Sequence, residues 1–227
     1  MDDANITKLD LSGKGLSKLP DLSIYTNLKK LYCTSNQITR LDNLPPTLIE
    51  LYCACNNITS LDDLPLTLTY LNCSDNLITS LDNLPLTLTY LDCYNNEIIS
   101  LDNLPLTLII LACDRNNITT LDNLPLTITI LNCSYNNITN LYNLPLTLTE
   151  LYCTGNKIAT LNNLPQTLTI LDCSKNIITR LDNLPLTLKK LDCSDNPLQY
   201  DFKPTLKNIR KYKETQSNNQ TMKHTKQ

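Results

Sequence analysis

The 227-residue sequence has no tryptophan, one phenylalanine, one histidine and three glycines. The lone histidine is His224, three residues from the end. A nucleophile needs a base beside it, and the body of the chain has no histidine to supply one, so no catalytic triad is expected. No run approaches the ~18 apolar residues of a membrane span. The opening MDDANITKLD has neither the basic nor the apolar region of a secretory signal. A cytoplasmic protein without a membrane contact is the expectation. Positive charge is also scarce. Net charge is −3, which argues against a nucleic-acid binder. What basic charge there is collects late: residues 201–227 hold seven Lys or Arg and two acids, the first 200 hold 12 and 20.

What the chain has instead is a period. Blocks of twenty begin at Leu31 and recur to Leu171, with a truncated block at Leu191, on the pattern LxCxxNxITxLDNLPLTLxx. A period near 20 means a solenoid, each coil packing only on its neighbours. A worn copy precedes them, with Ile6, Leu9, Leu11 and Leu16 at the apolar spacing and Lys14 where the Asn belongs. Ten coils follow from that count. Leu71 and Cys73 are two apart, so on a strand they share a face. Each coil then lays one short parallel strand beside the last at about 4.8 Å. Every full block has a Pro in its return and too few residues for a helix, so an extended, polyproline-like outer side is predicted.

The periodic polar and thiol positions have structural readings. The Asn row from Asn36 to Asn196 should bond the turn after each strand, because backbone groups there face inward and need partners. Nine of the ten cysteines, Cys33 to Cys193, fall in one row. Parallel in-register neighbours point side by side, which is poor disulfide geometry, and a line cannot surround a metal tetrahedrally. They read as small buried core residues. Cys55, off the row, is the one thiol expected to be accessible. The Asp row at Asp62, Asp82 and Asp102 reads as corner-turn bonding rather than as a calcium site. No metal and no cofactor are expected.

The segment Leu68-Thr-Tyr-Leu71-Asn-Cys73-Ser-Asp-Asn76-Leu-Ile78 resembles the defining stretch of the leucine-rich repeat family, and the likeness covers residues 6–198. The short repeat and its LPxTLxxL return look like the leucine-rich repeat region of secreted bacterial effectors. The Asn-, Ile- and Lys-rich vocabulary resembles giant-virus proteins of the family, which would place the chain in host-cell cytoplasm. The ubiquitin-ligase domain of some effector relatives is not expected in the residues after the last repeat. The resemblance implies an α/β-class solenoid, a right-handed horseshoe, mostly β, with a parallel sheet on its concave face. The expected divisions are an N-terminal cap with a worn first repeat over 1–30, the solenoid over 31–198, a cap with a short helix over 199–213, and a disordered basic tail over 214–227.

The family's concave sheet usually binds another protein, so a non-enzymatic protein-binding scaffold is the expected function. The partner protein is not identified by any residue. The alternative is a structural, self-associating repeat protein without a specific soluble partner. Comparing the coils separates constant core positions from variable ones. Among the variable positions, Tyr70, Tyr90, Ile110 and Ile130 form an apolar middle, with Tyr94 beside it and Asp92, Asp114 and Arg115 at its border. That make-up suits a contact patch. A monomer is expected.

Overall fold

The computed structural model describes residues 5–224, the last eight in backbone only. The ends of the expected N-terminal cap and basic tail, residues 1–4 and 225–227, lie outside that range. Ten strands of three residues each follow in chain order: β1 Lys8–Asp10, β2 Lys30–Tyr32, β3 Glu50–Tyr52, β4 Tyr70–Asn72, β5 Tyr90–Asp92, β6 Ile110–Ala112, β7 Ile130–Asn132, β8 Glu150–Tyr152, β9 Ile170–Asp172 and β10 Lys190–Asp192. One helix, α1, spans Leu206–His224. The strands form a single sheet in sequence order. All pairs are parallel, and equivalent residues face one another, Leu71 opposite Leu91 and Leu91 opposite Leu111.

Burial follows the repeat. In the central coils the first, third, eighth, eleventh, fourteenth and eighteenth residues are inside, as with Leu91, Cys93, Ile98, Leu101, Leu104 and Leu108. The Asn row is also buried from Asn56 to Asn176. Asn96 accepts the Ile78 N–H at 2.9 Å and donates to the Cys73 and Cys93 carbonyls, both at 3.1 Å. It thus ties two coils together at the turn. The return is extended but twice folded. Residue thirteen takes the left-handed conformation, as at Asn83 and Asn103 (φ 62° and 63°), which Asn tolerates better than most side chains. Two residues on, the Pro85 carbonyl accepts the Leu88 N–H at 3.0 Å and closes a second turn. At the first corner Asp82 accepts from Ser80 at 2.6 Å and from Asn103 of the next coil at 3.0 Å. These bonds, the Ser80 one foremost, hold its carboxyl below the usual range. The Asp row is thus bonded within the corners. Among the described residues no group of three or more His, Cys, Asp or Glu is arranged to hold a metal ion.

Both ends of the core are covered. Ile6, Leu9, Leu11 and Leu16 pack against it from the worn coil. Asn36 accepts the Lys14 and Leu16 N–H groups at 3.0 and 2.9 Å, serving a coil that has no Asn of its own. At the other end Ile209 is buried, and Tyr200, Phe202 and Tyr212 cluster with ring centroids 4.9 to 5.7 Å apart. From Thr67 to Thr187 a Thr hydroxyl of each coil reaches two carbonyls of the coil before it, as Thr187 does to Gln166 and Leu168. After the last coil the Arg210 guanidinium takes this place, donating to the Leu186 and Leu188 carbonyls at 2.9 Å each.

The helix is longer than the short cap expected over 199–213. It starts after Thr205, whose hydroxyl accepts the Asn208 N–H in N-cap fashion. It continues through residue 224, where a disordered tail was expected from 214. No Pro or Gly interrupts residues 205–227, and Lys, Arg, Gln and Glu are good helix formers. Because α1 is the only helix among the described residues, far-UV circular dichroism should show a minor helical signal on a strand and extended background. A helical content above about a quarter of the residues would overturn the coil geometry.

Candidate protein-binding face

The outer side of the sheet is set by strand alternation. In each strand the central Leu points into the core, and its two neighbours, positions twenty and two, point out. The parallel register then sorts them into rows. Tyr70, Tyr90, Ile110 and Ile130 face one another in succession across β4 to β7. All four are half-buried. The Tyr70 and Tyr90 rings stack at 4.2 Å between centroids, 6° from parallel.

The stack continues beyond the residues singled out from the sequence. Tyr32 and Tyr52 stack at 4.4 Å, and Tyr52 meets Tyr70 at 4.9 Å. The ladder therefore crosses from position two in β2 and β3 to position twenty in β4 and β5. Diagonal neighbours on a sheet lie within reach of aromatic side chains, but the two positions appear in separate columns of an aligned repeat. The outer end of the ladder is polar. The Lys30 ammonium lies 2.7 Å from Glu50, which also accepts from the Tyr52 hydroxyl at 3.1 Å. Burial, then the Glu50 bond, pushes the Tyr52 hydroxyl up to about 12.

Asp92 and Asp114 are half-buried, Asp92 in the column next to the apolar row and Asp114 in that of Tyr94. Asp92 accepts the Tyr94 N–H and an Asn72 amide hydrogen, both at 3.1 Å. Burial raises the pKa of both carboxyls. Arg115 is exposed, its guanidinium 5.9 Å from the Tyr94 ring and 5.4 Å from Tyr135. The Lys175 ammonium lies 5.9 Å from the centroid of the Tyr135 ring. The structure thus groups the predicted residues in two strips: Tyr70, Tyr90, Ile110 and Ile130 in one, Tyr94, Asp114 and Arg115 in the other, with Asp92 between. Tyr135 belongs with the second strip.

Position five carries a backbone cost. Arg115, Tyr135 and Lys175 all have φ of 52°, a region that Gly and Asn occupy far more readily. Gly155 takes that position in the coil after Tyr135, and a Cβ there would meet the Tyr135 ring at 2.7 Å. The ring lies on bare backbone.

The nine thiols of the row point inward. All ten cysteines are free, nine buried and Cys55 exposed. Cys93 Sγ donates to the Ala112 carbonyl at 3.4 Å, a weak bond that other ladder cysteines repeat. Burial pushes Cys33 and Cys133 up to about 12, and Cys193 to about 11. A native-state thiol titration at pH 8 should therefore find one fast group, Cys55, and all ten after denaturation. Several fast groups in the native protein would contradict the inward row.

No family model and no curated sequence matches the chain. Solved structures do. A functional domain of InlJ from Listeria monocytogenes, described as including a cysteine ladder, is 40% identical with a TM-score of 0.77, over 87% of this chain and 46% of that one. YopM from Yersinia enterocolitica is 31% identical with a TM-score of 0.73, over 87% and 48%. YopM of Yersinia pestis, a leucine-rich effector protein, is 30% identical with a TM-score of 0.62, over 86% and 67%. The LRIM1/APL1C complex matches at 26% identity with a TM-score of 0.70, over 81% and 38%. The chain belongs to the leucine-rich repeat family. It spans about half the length of the InlJ domain and of the first YopM. The resemblance to giant-virus proteins finds no support in these comparisons.

Proposed function

We propose that the chain is a non-enzymatic scaffold that binds a partner protein on its sheet face. The observation that carries this reading is the in-register row Tyr70, Tyr90, Ile110 and Ile130, half-buried on a rigid sheet and flanked by charge. Aromatic and aliphatic anchors ringed by polar groups are the make-up of interface hot spots. The stacked tyrosines present their edges and hydroxyls outward, because their faces are spent on one another. Such a surface suits the mixed apolar and polar groups of a protein better than a flat sugar or base. Arg115 and Tyr135 support the same reading: both occupy left-handed positions that their own side chains disfavour, so their placement serves the surface rather than the backbone. LRIM1/APL1C, a similar fold, occurs as a complex. The raised thiols oppose a nucleophile's role, since catalytic cysteines need a lowered pKa. Ten unpaired thiols accord with a cytoplasmic setting. No helix of the described residues is long and apolar enough to cross a membrane.

The test is a folded variant that loses binding. Tyr90→Ala with Tyr94→Ala removes one anchor from each strip. Truncated hot spots cost ~2 kcal/mol or more, so affinity for a partner captured by the wild type should fall ~30-fold for one lost anchor and up to ~1,000-fold for two. Loss of the Tyr70–Tyr90 stack costs about 1 kcal/mol of stability, a shift of a few degrees. Asn103→Ser, on the outer corner, should bind normally. Full binding by the folded double variant, or loss in Asn103→Ser, would move the site off the sheet face.

A further inference from the structure

A row of leucines in the return faces solvent. Leu66, Leu86, Leu106, Leu126 and Leu146 hold position sixteen of five consecutive coils and are 74 to 79% exposed. Their neighbours two residues away on either side, such as Leu104 and Leu108 beside Leu106, are buried. The row is therefore a separate surface stripe and not the rim of the core. Its polar groups are already satisfied. Thr87 donates to the Leu66 and Leu68 carbonyls at 2.8 and 2.7 Å, and Thr127 to the Leu106 and Leu108 carbonyls at 2.8 and 2.7 Å. The return segments 64–69, 84–90, 104–110, 124–130 and 144–149 contain no charged residue. Four coil steps at strand spacing make the stripe at least ~19 Å long. At roughly 130 Å² per leucine it exposes about 650 Å², just above the ~300–600 Å² of the largest apolar patch on a typical monomer. That approaches the ~800 Å² each partner contributes to a standard interface.

We infer that this stripe is the seam of a homodimer, in which a second copy lies antiparallel along it about a two-fold axis at Leu106. The repeat distance identifies the occupant. To seat on all five leucines, a partner must offer apolar groups at the stripe's own coil-to-coil repeat, which neither the ~5.4 Å turn of a helix nor the ~6.8 Å face repeat of an extended strand is built to follow. A second copy of this chain has the same period along its whole length. A two-fold contact is self-complementary: Leu66 of one copy lies opposite Leu146 of the other, Leu86 opposite Leu126, and Leu106 on the axis. Pro46 and Gln166 bound the run. A slip of one coil leaves a leucine in water at each end, so the register is defined and the contact closes at two copies. This departs from the monomer expected from sequence. It leaves the sheet face open and rests on different residues from the proposed partner site.

Sedimentation velocity of the full chain tests it. The wild type should sediment as a dimer of the 25.7 kDa chain at micromolar concentration. Leu86→Asp, Leu106→Asp and Leu126→Asp together should give a monomer with an unchanged circular dichroism spectrum. A second measurement reads the register in a Cys55→Ser background, where the remaining cysteines are buried. There Leu106→Cys should form a disulfide-linked dimer on oxidation, and Leu186→Cys, beyond the Gln166 break, should not. A wild type that stays monomeric at tens of micromolar overturns the seam, and means that any cover on the stripe is a different molecule. Dimerisation of a folded triple variant at wild-type strength, or equal cross-linking at both cysteines, overturns it too.

Discussion

Raising the pH past about 9 should unfold this protein far more steeply than an ordinary domain of its length. In the unfolded chain each ladder thiol loses its proton near the ordinary value of 9.0. In the fold, burial holds the proton on Cys193 to about 11, on Cys33 and Cys133 to about 12, and drives the other six up in the same direction. Above pH 9 the unfolded state thus binds fewer protons than the folded one, and stability falls as pH rises. Below pH 9 both states keep the protons, and the contribution is fully present. Each thiol costs ~1.4 kcal/mol per pH unit in that window. Nine together approach ~12 kcal/mol per unit, against a typical total stability of ~5–15 kcal/mol. Urea unfolding at pH 8, 9 and 10 under reducing conditions measures the slope. Cys93→Ala, Cys113→Ala and Cys133→Ala together should reduce it by about a third. A chain still folded at pH 11, or a triple variant with the wild-type slope, would show that the thiols do not govern alkaline stability.

Asn116→Ala should cost about 3 kcal/mol, while Asn117→Ala, one residue later, should cost almost nothing. The Asn116 amide oxygen accepts the buried Ile98 N–H at 2.9 Å, and its nitrogen donates to the Cys93 and Cys113 carbonyls at 3.0 and 3.1 Å. The carbonyls keep second donors, Asn96 and Asn136. Ile98 N–H does not, and an orphaned buried donor costs ~1–3 kcal/mol. The two lost carbonyl bonds add ~1 kcal/mol or so between them. Asn117 is exposed, and it is its backbone N–H that bonds, to Ile98, a bond that Ala retains. Thermal or urea melts of the two variants decide it. Equal losses at 116 and 117 would mean that the inward face of the turn is misassigned.

The sequence by itself determined the architecture, because a solenoid gives every coil the same surroundings. Constancy at a repeat position then reports an environment that does not change. That logic placed Leu71, Cys73, Asn76 and Ile78 inside, set ten coils, and made the return non-helical from Pro and block length. It also marked Tyr70, Tyr90, Ile110 and Ile130 as outward, since strands alternate by twos. Tertiary structure decided what constancy could not. Leu106 is as regular and as apolar as Leu104 and Leu108, yet it is outside. The turn closed by the Pro105 carbonyl and the Leu108 N–H, 3.0 Å apart, buries residues 105 and 108 and leaves Leu106 and Thr107 exposed. No hydrophobic period encodes a two-residue excursion at a turn. The tyrosine ladder was hidden for a related reason: Tyr52 reaches Tyr70 diagonally, from one column of the repeat to another. The left-handed backbone at Arg115 and Tyr135 was equally unreadable, because their side chains disfavour it and only the closure of the coil imposes it.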